Sequence, residues 1–478
     1  MRSTATNSWQ PASPVSKFER FDCWPELTAG IVLSLLAYMV EGACVLVGLG
    51  GLAIIGLFFA RHFVTGRLNF FGARTMAVLG YGVWMFFGLL RYAFGTDRAT
   101  LSVDPQMAAR SARYIALGFV ALLLGLQLRR SGKVPQFLVS QKTLSSSVLH
   151  QLAVVFLLAS GPRAVLHNNF YGYETQYPFY IELYEHLYVV GFFLLAYVVA
   201  SDRPYLDRHR LSVGVPLVLD VILILIHVSR RPLVVLALGV AFIVSYFRKR
   251  QRRAKSPTQY AAVVLSGLLL AGVLYALGNA IRAVSFSKER TMEEVGTEFR
   301  TISSEGGSIQ PFYIFEFVME RYPNDYPYLH GSSLVSFLLT FVPRVVWPGK
   351  PIGLAKELAL RLAHVPTSAG YSREIDKRIG YQSYSATLLG EGYANFGWFG
   401  GLLFLFIFAR LCCFIQNYLD QNRTNQFVIF QYACWLGAIA IEHRGDLVCA
   451  NFFSVFTSGM LWLIFMLAGK KGVGQASP

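Results

Sequence analysis

The chain has 478 residues, of which 54% are hydrophobic and only 15% are charged, and its net charge is +16. A soluble globular protein carries charge on about a quarter of its residues. Here the basic residues stand mainly in short breaks between long apolar runs, so the charge indicates membrane topology and argues against nucleic-acid binding.

Twelve apolar segments of 14 to 23 residues follow one another along the chain. Lipid cannot hydrogen-bond the backbone, so segments long enough to cross a bilayer must be helices. They lie at residues 27–40, 43–60, 75–95, 112–128, 147–165, 179–200, 211–228, 232–247, 259–281, 397–417, 427–442 and 448–469. We predict an all-α integral membrane protein with about twelve spans. Eleven is the alternative if the first two segments join, although Glu41 and Gly42 between them favour a tight hairpin.

Lys and Arg residues are divided unequally between alternate loops. The set that includes 248–255 (RKRQRRAK) holds 19 of them, and the short loops of the other set hold 5. The positive-inside rule therefore predicts that the first set and both termini are cytoplasmic. The predicted parts are a cytoplasmic N-terminal segment (1–26), nine spans (27–281), a large external loop (282–396), three spans (397–469) and a cytoplasmic tail (470–478).

The large external loop contains two short apolar pieces, Phe312–Met319 and Ser333–Trp347. Both are too short or too interrupted to be spans, so we predict re-entrant or interfacial helices. Long loops without a fold of their own are uncommon unless they are functional. This loop is therefore the expected cover of a site on the external face.

Arginines on the external face form the first candidate site, because the positive-inside rule disfavours them there. A guanidinium group binds phosphate oxygens through paired hydrogen bonds and stays charged at any physiological pH. The candidates are Arg230, Arg231, Arg282, Arg344 and Arg444. The plainer alternative is that they cap helix ends, reach lipid headgroups or form salt-bridged turns.

The glycine-rich stretch 389–401 (LGEGYANFGWFGG) leads directly into a predicted span. An ionisable residue at a bilayer edge is a functional candidate, so Glu391 is the first choice for an acid–base group. His443 and Asp446 of the later HRGD turn come next. Alternatively, the glycines serve helix packing and Glu391 pairs with an arginine for structural reasons.

Several catalytic signatures do not occur in the sequence. It has no P-loop, no dinucleotide-binding GxGxxG, no HExxH and no GxSxG. The cysteines and histidines show no metal-ligand spacing. We therefore expect no metal and no cofactor.

A family resemblance emerges from these motifs. VPRVVWPGKP (342–351), followed by GEGYANFGWFG (390–400) at the start of a span, resembles the signature of bacterial oligosaccharide repeat-unit polymerases, the Wzy-type O-antigen polymerases. The SRRP junction (229–232) and the HRGD turn (443–446) are also similar to that family's pattern. The resemblance covers residues 211 to 469, and the layout of the remainder agrees with it.

The resemblance implies a GT-C-like membrane glycosyltransferase of the bacterial inner membrane. Such an enzyme joins undecaprenyl-diphosphate-linked repeat units of a surface polysaccharide on the periplasmic face, where the polysaccharide is O-antigen, capsule or exopolysaccharide. The arginines above would bind the diphosphate, and Lys350, Trp347 and Tyr393 are further candidates for binding diphosphate or sugar. Membrane lipid, a chain-length regulator and a flippase are the other expected partners.

Two alternatives to a polymerase stay open. An O-antigen ligase uses a similar lipid-linked donor but transfers finished polymer to lipid A-core. A polysaccharide transporter or flippase is the other alternative. Transporters tend to have paired repeats and interrupted helices at the membrane midplane, whereas the candidate residues here gather at one face.

Overall fold

The structure is a computed structural model. It describes residues 22–65, 68–94, 104–128, 134–135, 138–170, 178–226, 230–251, 310–339, 342, 347, 351–362, 386–445 and 447–471. Within these ranges it describes the backbone alone at 161–170, 178–186, 219–226, 230–234, 248–251, 310–311, 356, 359, 362, 447–453 and 470–471.

The described chain is almost entirely α-helical. In chain order the helices are α1 (Trp24–Met39), α2 (Ala43–Val64), α3 (Ala73–Ala93, with a π-helical turn at Gly82–Phe86), α4 (Pro105–Gln127), α5 (Ser146–Phe170), α6 (Pro178–Ser201), α7 (Arg203–Arg208), α8 (Arg210–Ile226), α9 (Arg230–Gln251), α10 (Gln310–Arg321), α11 (Ser332–Leu338), α12 (Leu354–Leu362), α13 (Leu388–Gln421), α14 (Gln426–Ile441) and α15 (Leu447–Ala468). A 3₁₀ turn, Glu442–Arg444, joins the last two.

Four helices in the described part of the chain are long and apolar enough to cross a membrane: α2, α3, α4 and α13. Shorter apolar helical segments lie at Trp24–Met39, Ser146–Ser160, Leu187–Ser201, Val235–Phe247 and Ser454–Ala468. A helix overlaps every predicted apolar segment except 259–281, which lies outside the described residues. The helical fold class is thus confirmed for the described chain, while the number of spans stays a prediction.

The first two apolar segments form separate helices rather than one long helix. α1 ends at Met39 and α2 begins at Ala43, with Glu41 and Gly42 in the turn between them. The turn leaves Glu41 exposed at the end of the hairpin. This is the arrangement that the high cost of a carboxylate at the bilayer centre predicts.

Large apolar side chains lie on the outer surface of these helices. Leu35 is 63% exposed, Leu57 66%, Phe399 73% and Leu467 78%. A contiguous apolar surface is unfavourable in water but suits a surrounding of hydrocarbon chains. The outer surface therefore agrees with helices that can lie in a membrane.

Polar contacts inside the bundle fix the start of α3. The backbone N–H of Ala73 donates to Gln416 Oε1 at 2.9 Å and to the Tyr432 hydroxyl at 2.8 Å. The Tyr432 hydroxyl in turn donates to Phe71 O at 2.7 Å and contacts Gln416 Oε1 at 2.9 Å. These bonds satisfy a helix N-terminus that has no side-chain cap of its own, and they tie α3 to α13 and α14.

Loops that are predicted to share a side of the membrane contact one another. Lys142–Thr143 (β1) pairs antiparallel with Lys470–Lys471 (β2), which joins the 129–146 loop to the tail. Arg61 forms an ion pair with Glu26 at 2.9 Å, and Gln127 accepts a hydrogen bond from Cys23 N at 2.8 Å. These contacts agree with the predicted grouping of the loops, and the assignment of that side to the cytoplasm stays a prediction.

The described part of the predicted external loop contributes the helices α10 to α12 and the first turns of α13. Both faces of α10 are covered by protein, because Phe312, Phe315 and Val318 are fully buried and Ile314 and Met319 are 1% exposed. The buried part of α10 packs against α3, α4 and the start of α13, while Glu320 near its end is exposed. In contrast, α11 leaves Val335 and Leu338 exposed, as an interfacial helix would.

Helix α13 is broken near its start. Phe396 (φ −141°, ψ 19°) and Gly397 (φ +68°, ψ −154°) are not helical, so a short arm (388–395) is separated from a long arm (398–421). The predicted boundary between loop and span at 396/397 falls at this break. The short arm, predicted as part of the loop, is nevertheless helical and buried.

Candidate active site

The glycine-rich stretch 389–401 folds into a tight helical hairpin in which the two arms of α13 touch through their backbones. A Cβ atom added at Gly392 would lie 2.6 Å from Gly400 O and 2.6 Å from Gly401 Cα. A Cβ at Gly400 would collide with Gly392 O, and one at Gly401 would lie 2.7 Å from Leu389 O. Backbone atoms cannot move aside as a flexible side chain can, so only glycine permits this approach.

Local bonds set the two ends of the short arm. The Thr387 hydroxyl accepts a hydrogen bond from Gly390 N at 3.0 Å, which caps its N-terminus. Gly397 turns the chain back through a positive φ that disfavours other residues. The hairpin is therefore specified by a threonine cap and by glycines at the turn and at the contact between the arms.

Asn395 fastens the hairpin to the loop before α11. Its side-chain Oδ1 accepts a hydrogen bond from Gly331 N at 2.9 Å, and its Nδ2 donates to the Ser333 hydroxyl and to Glu391 O, both at 2.8 Å. The side chain is fully buried. One amide thus holds both the loop before α11 and the turn of helix that carries Glu391.

Glu391 lies on the short arm and is fully buried. Its backbone N–H donates to Thr387 O at 2.8 Å, and its carbonyl accepts from Asn395 as above. Both its neighbours, Gly390 and Gly392, are closely covered, the first by the ring of Phe315 and the second by the long arm. The first-choice acid–base residue is therefore a carboxyl group screened from water.

Aromatic side chains line the outer end of the hairpin. The Tyr114 hydroxyl donates to Trp398 O at 2.6 Å, and the two ring centroids are 4.4 Å apart. Tyr393 packs between Tyr114 and Tyr328 and is only 1% exposed. Tyr393, predicted to bind substrate, is thus a buried support of the hairpin, and Trp398, which is half-buried, is the more accessible ring.

Arg110 lies over this aromatic group and was not singled out from the sequence. Its guanidinium carbon is 5.3 Å from the centre of the Trp398 ring, and the side chain is exposed. Stacking on an indole orients the guanidinium fork while its N–H groups stay available. The sequence does carry a signal for this residue, because Arg110 is an arginine in a predicted external loop. It belongs to none of the motifs described above.

The HRGD turn lies elsewhere in the bundle. His443 is 1% exposed, its Nε2 is 3.0 Å from Ala77 O, and its ring lies between Tyr81 and Phe408 at 5.1 Å from each. Phe408 is seven residues beyond Gly401, which places the turn about 10 Å below the hairpin contact at 1.5 Å per residue. His443 therefore packs between α3 and α13, about two helical turns along α13 from the hairpin contact.

Arg444 stands beside the π-helical turn of α3. Its guanidinium carbon is 5.2 Å from the centre of the Trp84 ring, and Trp84 Nε1 donates to Ala440 O at 3.2 Å. π-Helical turns frequently occur at functional sites. Arg444 is thus half-buried against the Trp84 ring of α3.

The other predicted site residues are placed as follows. Trp347 is 45% exposed. Arg230 and Arg231 begin α9, but only their backbone is described. Arg282, Arg344, Lys350 and Asp446 lie outside the described residues. Within the described residues, no group of three or more His, Cys, Asp or Glu side chains could hold a metal ion.

Glu316 is one of the buried acidic residues of the described chain that no sequence motif marks. It is 2% exposed in the middle of α10, and its sequence signal was a lone acid within the aromatic run FYIFEF (312–317). The pattern of this run predicts an apolar piece, and the burial of its one carboxyl group follows from the packing of α10.

Fold and site together define a class of α-helical protein whose helices can cross a membrane. At the start of α13 this protein has a buried hairpin that packs against α10. No known family model, curated protein or solved structure matches the chain.

Proposed function

We propose that this protein is a multi-pass enzyme of the bacterial inner membrane that polymerises undecaprenyl-diphosphate-linked oligosaccharide repeat units on the periplasmic face. About twelve spans, cytoplasmic termini and a GT-C-like arrangement belong to the same proposal. The observation that carries it is the glycine hairpin, which holds the fully buried Glu391 beneath helices of the predicted external loop.

The surface beside the hairpin suits a lipid-linked substrate. Exposed apolar side chains recur every four residues down the long arm of α13, at Phe399, Leu403, Ile407 and Leu411. Residues at this spacing share one helix face, so they form a continuous apolar stripe. The stripe begins next to Trp398 and Arg110, and a prenyl chain along it would bring its diphosphate to that guanidinium.

The chemistry requires two functions from the protein. The bond between the donor sugar C1 and the phosphate oxygen breaks, a new bond forms from C1 to the acceptor sugar oxygen, and the acceptor hydroxyl loses its proton. Fixed guanidinium groups stabilise the diphosphate that leaves with the electron pair. A carboxylate accepts the proton, and Glu391 is our first candidate for it.

Surface polysaccharide from the native bacterium separates this function from its closest competitor. Deletion of the gene should leave lipid A-core with a single repeat unit on a gel. Loss of a ligase would instead leave bare core, and loss of a flippase would remove the lipid-linked units from the periplasmic face. Either of those two patterns would contradict the proposal.

Single substitutions then test the site in the same strain. Glu391→Gln should shorten the polymer and lower the polymerisation rate by about 100-fold, which is the usual range for loss of a catalytic acid–base group. Arg344→Ala tests the family motif in the same way. Glu320→Gln is the matched control, because Glu320 is an exposed acid on α10. Unchanged polymer length in Glu391→Gln at normal protein level would remove Glu391 from the mechanism.

A further inference from the structure

Glu316 combines deep burial with an absence of bonding partners. It is 2% exposed, and neither carboxyl oxygen has a hydrogen-bond partner within the part of the chain that the structure describes. A buried polar group without a partner is costly to the fold. A protein that keeps such a group in the middle of an otherwise apolar helix is expected to use it.

The surroundings of Glu316 show where a partner could reach it. The carboxyl group interacts electrostatically with Cys44 at the start of α2 and with Tyr92 at the end of α3. Cys44 and Tyr92 are both half-buried, whereas Glu316 is 2% exposed. Phe312 and Tyr313 of α10 pack against the Tyr92 ring at 5.6 and 6.2 Å between centroids and close the apolar side.

The same helix also contacts the hairpin. The ring of Phe315, next in sequence to Glu316, lies 3.1 Å from the position of a Cβ atom at Gly390, next to Glu391. Phe315 also stacks on Tyr114, the residue that bonds to Trp398 O. Glu316 and Glu391 are therefore carried by two directly packed helices of one site.

Deep burial favours the neutral form of the Glu316 carboxyl group. Burial, and to a smaller degree the nearby charge of Glu320, raises its pKa to about 9. Other ionisable groups lie on the helices that pack against α10 and at the start of α2. They include Cys44, Arg91, Tyr92, Asp104, Arg110, Tyr114, Glu391 and Tyr393. A raised pKa favours the protonated form of the Glu316 carboxyl group, and this form can donate a hydrogen bond.

We propose that Glu316 belongs to the substrate site and donates a hydrogen bond to a phosphate oxygen of the polyprenyl-linked diphosphate. This inference rests on the proposed function and adds a binding residue to it. An ionised carboxylate at this place would repel a diphosphate, whereas a carboxylic acid stabilises its negative oxygen. The two acids then have different roles: Glu391 accepts a proton from the acceptor sugar, and Glu316 retains its proton and donates a hydrogen bond.

Three variants of the full-length protein in lipid nanodiscs test the donor role. Glu316→Gln keeps an N–H donor of similar shape, Glu316→Met removes the donor at similar volume, and Glu320→Gln is the exposed control. With a lipid-linked repeat unit as substrate, Glu316→Met should raise KM by at least about tenfold, as expected for loss of a hydrogen bond to a charged group. Glu316→Gln should stay within about threefold of the parent protein.

The pH dependence gives the same test a second readout. In the parent protein, substrate affinity should fall as the pH rises through about 9, because the carboxyl group then loses its proton. Glu316→Gln should abolish that fall, and Glu320→Gln should keep it at a slightly lower pH, because the Glu320 charge helps to raise the pKa of Glu316. A Gln variant as weak as the Met variant would overturn the donor role in favour of a base, and a Met variant with normal KM would overturn any role in binding.

Infrared spectroscopy tests the inference without any reaction. A band of a protonated carboxyl group should be present at pH 7 in the parent protein and in Glu320→Gln, and Glu316→Gln should lack it. Undecaprenyl diphosphate should shift this band, and phosphatidylglycerol alone should not. No Glu316 band at pH 7, or an equal shift with both lipids, would overturn the inference. If the parent protein binds undecaprenyl diphosphate and its Glu316 band shifts, but the protein makes no polymer, only the proposed function is contradicted.

Discussion

Two buried polar turns, the glycine hairpin at 390–401 and the HRGD turn, are built on different principles. In the hairpin the contact is between backbones, and Gly392 and Gly400 set the distance. In the HRGD turn the contacts are made by side chains, with His443 between two aromatic rings and Arg444 beside Trp84. A backbone contact tolerates no added atom, while a side-chain contact can repack. The hairpin should therefore be the less tolerant of the two to small substitutions.

The largest expected effect comes from a single methyl group in the hairpin. Gly400→Ala places a Cβ against Gly392 O and should force the arms apart. We expect a loss of about 2–3 kcal/mol in the free energy of unfolding, as for other overpacked sites. Polymerisation should fall about 100-fold, since a shift of about 1 Å at a site can cost that much.

Gly56→Ala is the matched control for that substitution, because a Cβ at Gly56 would meet nothing within 4 Å. It should stabilise α2 by about 0.5 kcal/mol or leave it unchanged. Thermal unfolding in detergent and polymer length on a gel measure the two effects. Equal behaviour of Gly400→Ala and Gly56→Ala would show that the arms of α13 are not in contact.

The next effect tests the bond between hairpin and loop. Asn395→Asp removes the two hydrogen bonds that the amide donates to Ser333 and Glu391 O, and it buries a charge. We expect a loss of about 2 kcal/mol in the free energy of unfolding. Asn324→Asp is the control, since the exposed Asn324 amide donates to Glu320 O at 2.8 Å. Similar losses at both positions would contradict a special role for the buried amide.

A smaller effect is expected at the rim of the hairpin. Arg110→Gln removes the exposed guanidinium over Trp398 and should raise KM for the lipid-linked substrate about tenfold, with kcat changed less than about twofold. Arg208→Gln, at an exposed arginine in the predicted cytoplasmic loop, should change neither constant. A reduced kcat with normal KM in Arg110→Gln would speak against diphosphate binding at this position.

The smallest effect on activity is expected at the HRGD turn. His443→Gln should weaken the contact to Ala77 O and cost about 1 kcal/mol of stability, while activity per folded molecule stays within about threefold. Unfolding curves and rates on the same preparation separate the two quantities. A large loss of rate at unchanged stability would instead restore His443 to the predicted catalytic role.

The sequence predicts helix positions well because apolarity is a local property. A helix overlaps segments such as 43–60 and 112–128, and Glu41-Gly42 correctly separates α1 from α2. The break at Phe396 and Gly397 also falls where a loop was expected to meet a span. Each of these features depends on residues that are close together in the chain.

The remainder of the site depends on distances between elements, which no local pattern contains. Nothing in the spacing of LGEGYANFGWFGG states that Gly392 touches Gly400, although the glycines made close packing one of the alternatives. The burial of His443 follows from its packing between Tyr81 of α3 and Phe408 of α13, neither of which is close to it in the chain. The isolation of Glu316 follows from α10 being covered on both faces, which a run of apolar residues does not reveal.

The length of the long arm of α13 has a consequence for the choice of lipid. Residues 398–421 extend about 36 Å at 1.5 Å per residue, while a typical hydrocarbon core is about 30 Å thick. The arm must therefore tilt or protrude, and acyl-chain length would change its inclination by a few degrees. The short arm packs directly against the first turn of the long arm. Thin and thick membranes would therefore place Glu391 of the short arm at different depths relative to the membrane surface. Reconstitution in lipids of graded chain length should accordingly tune the rate even in an unaltered protein.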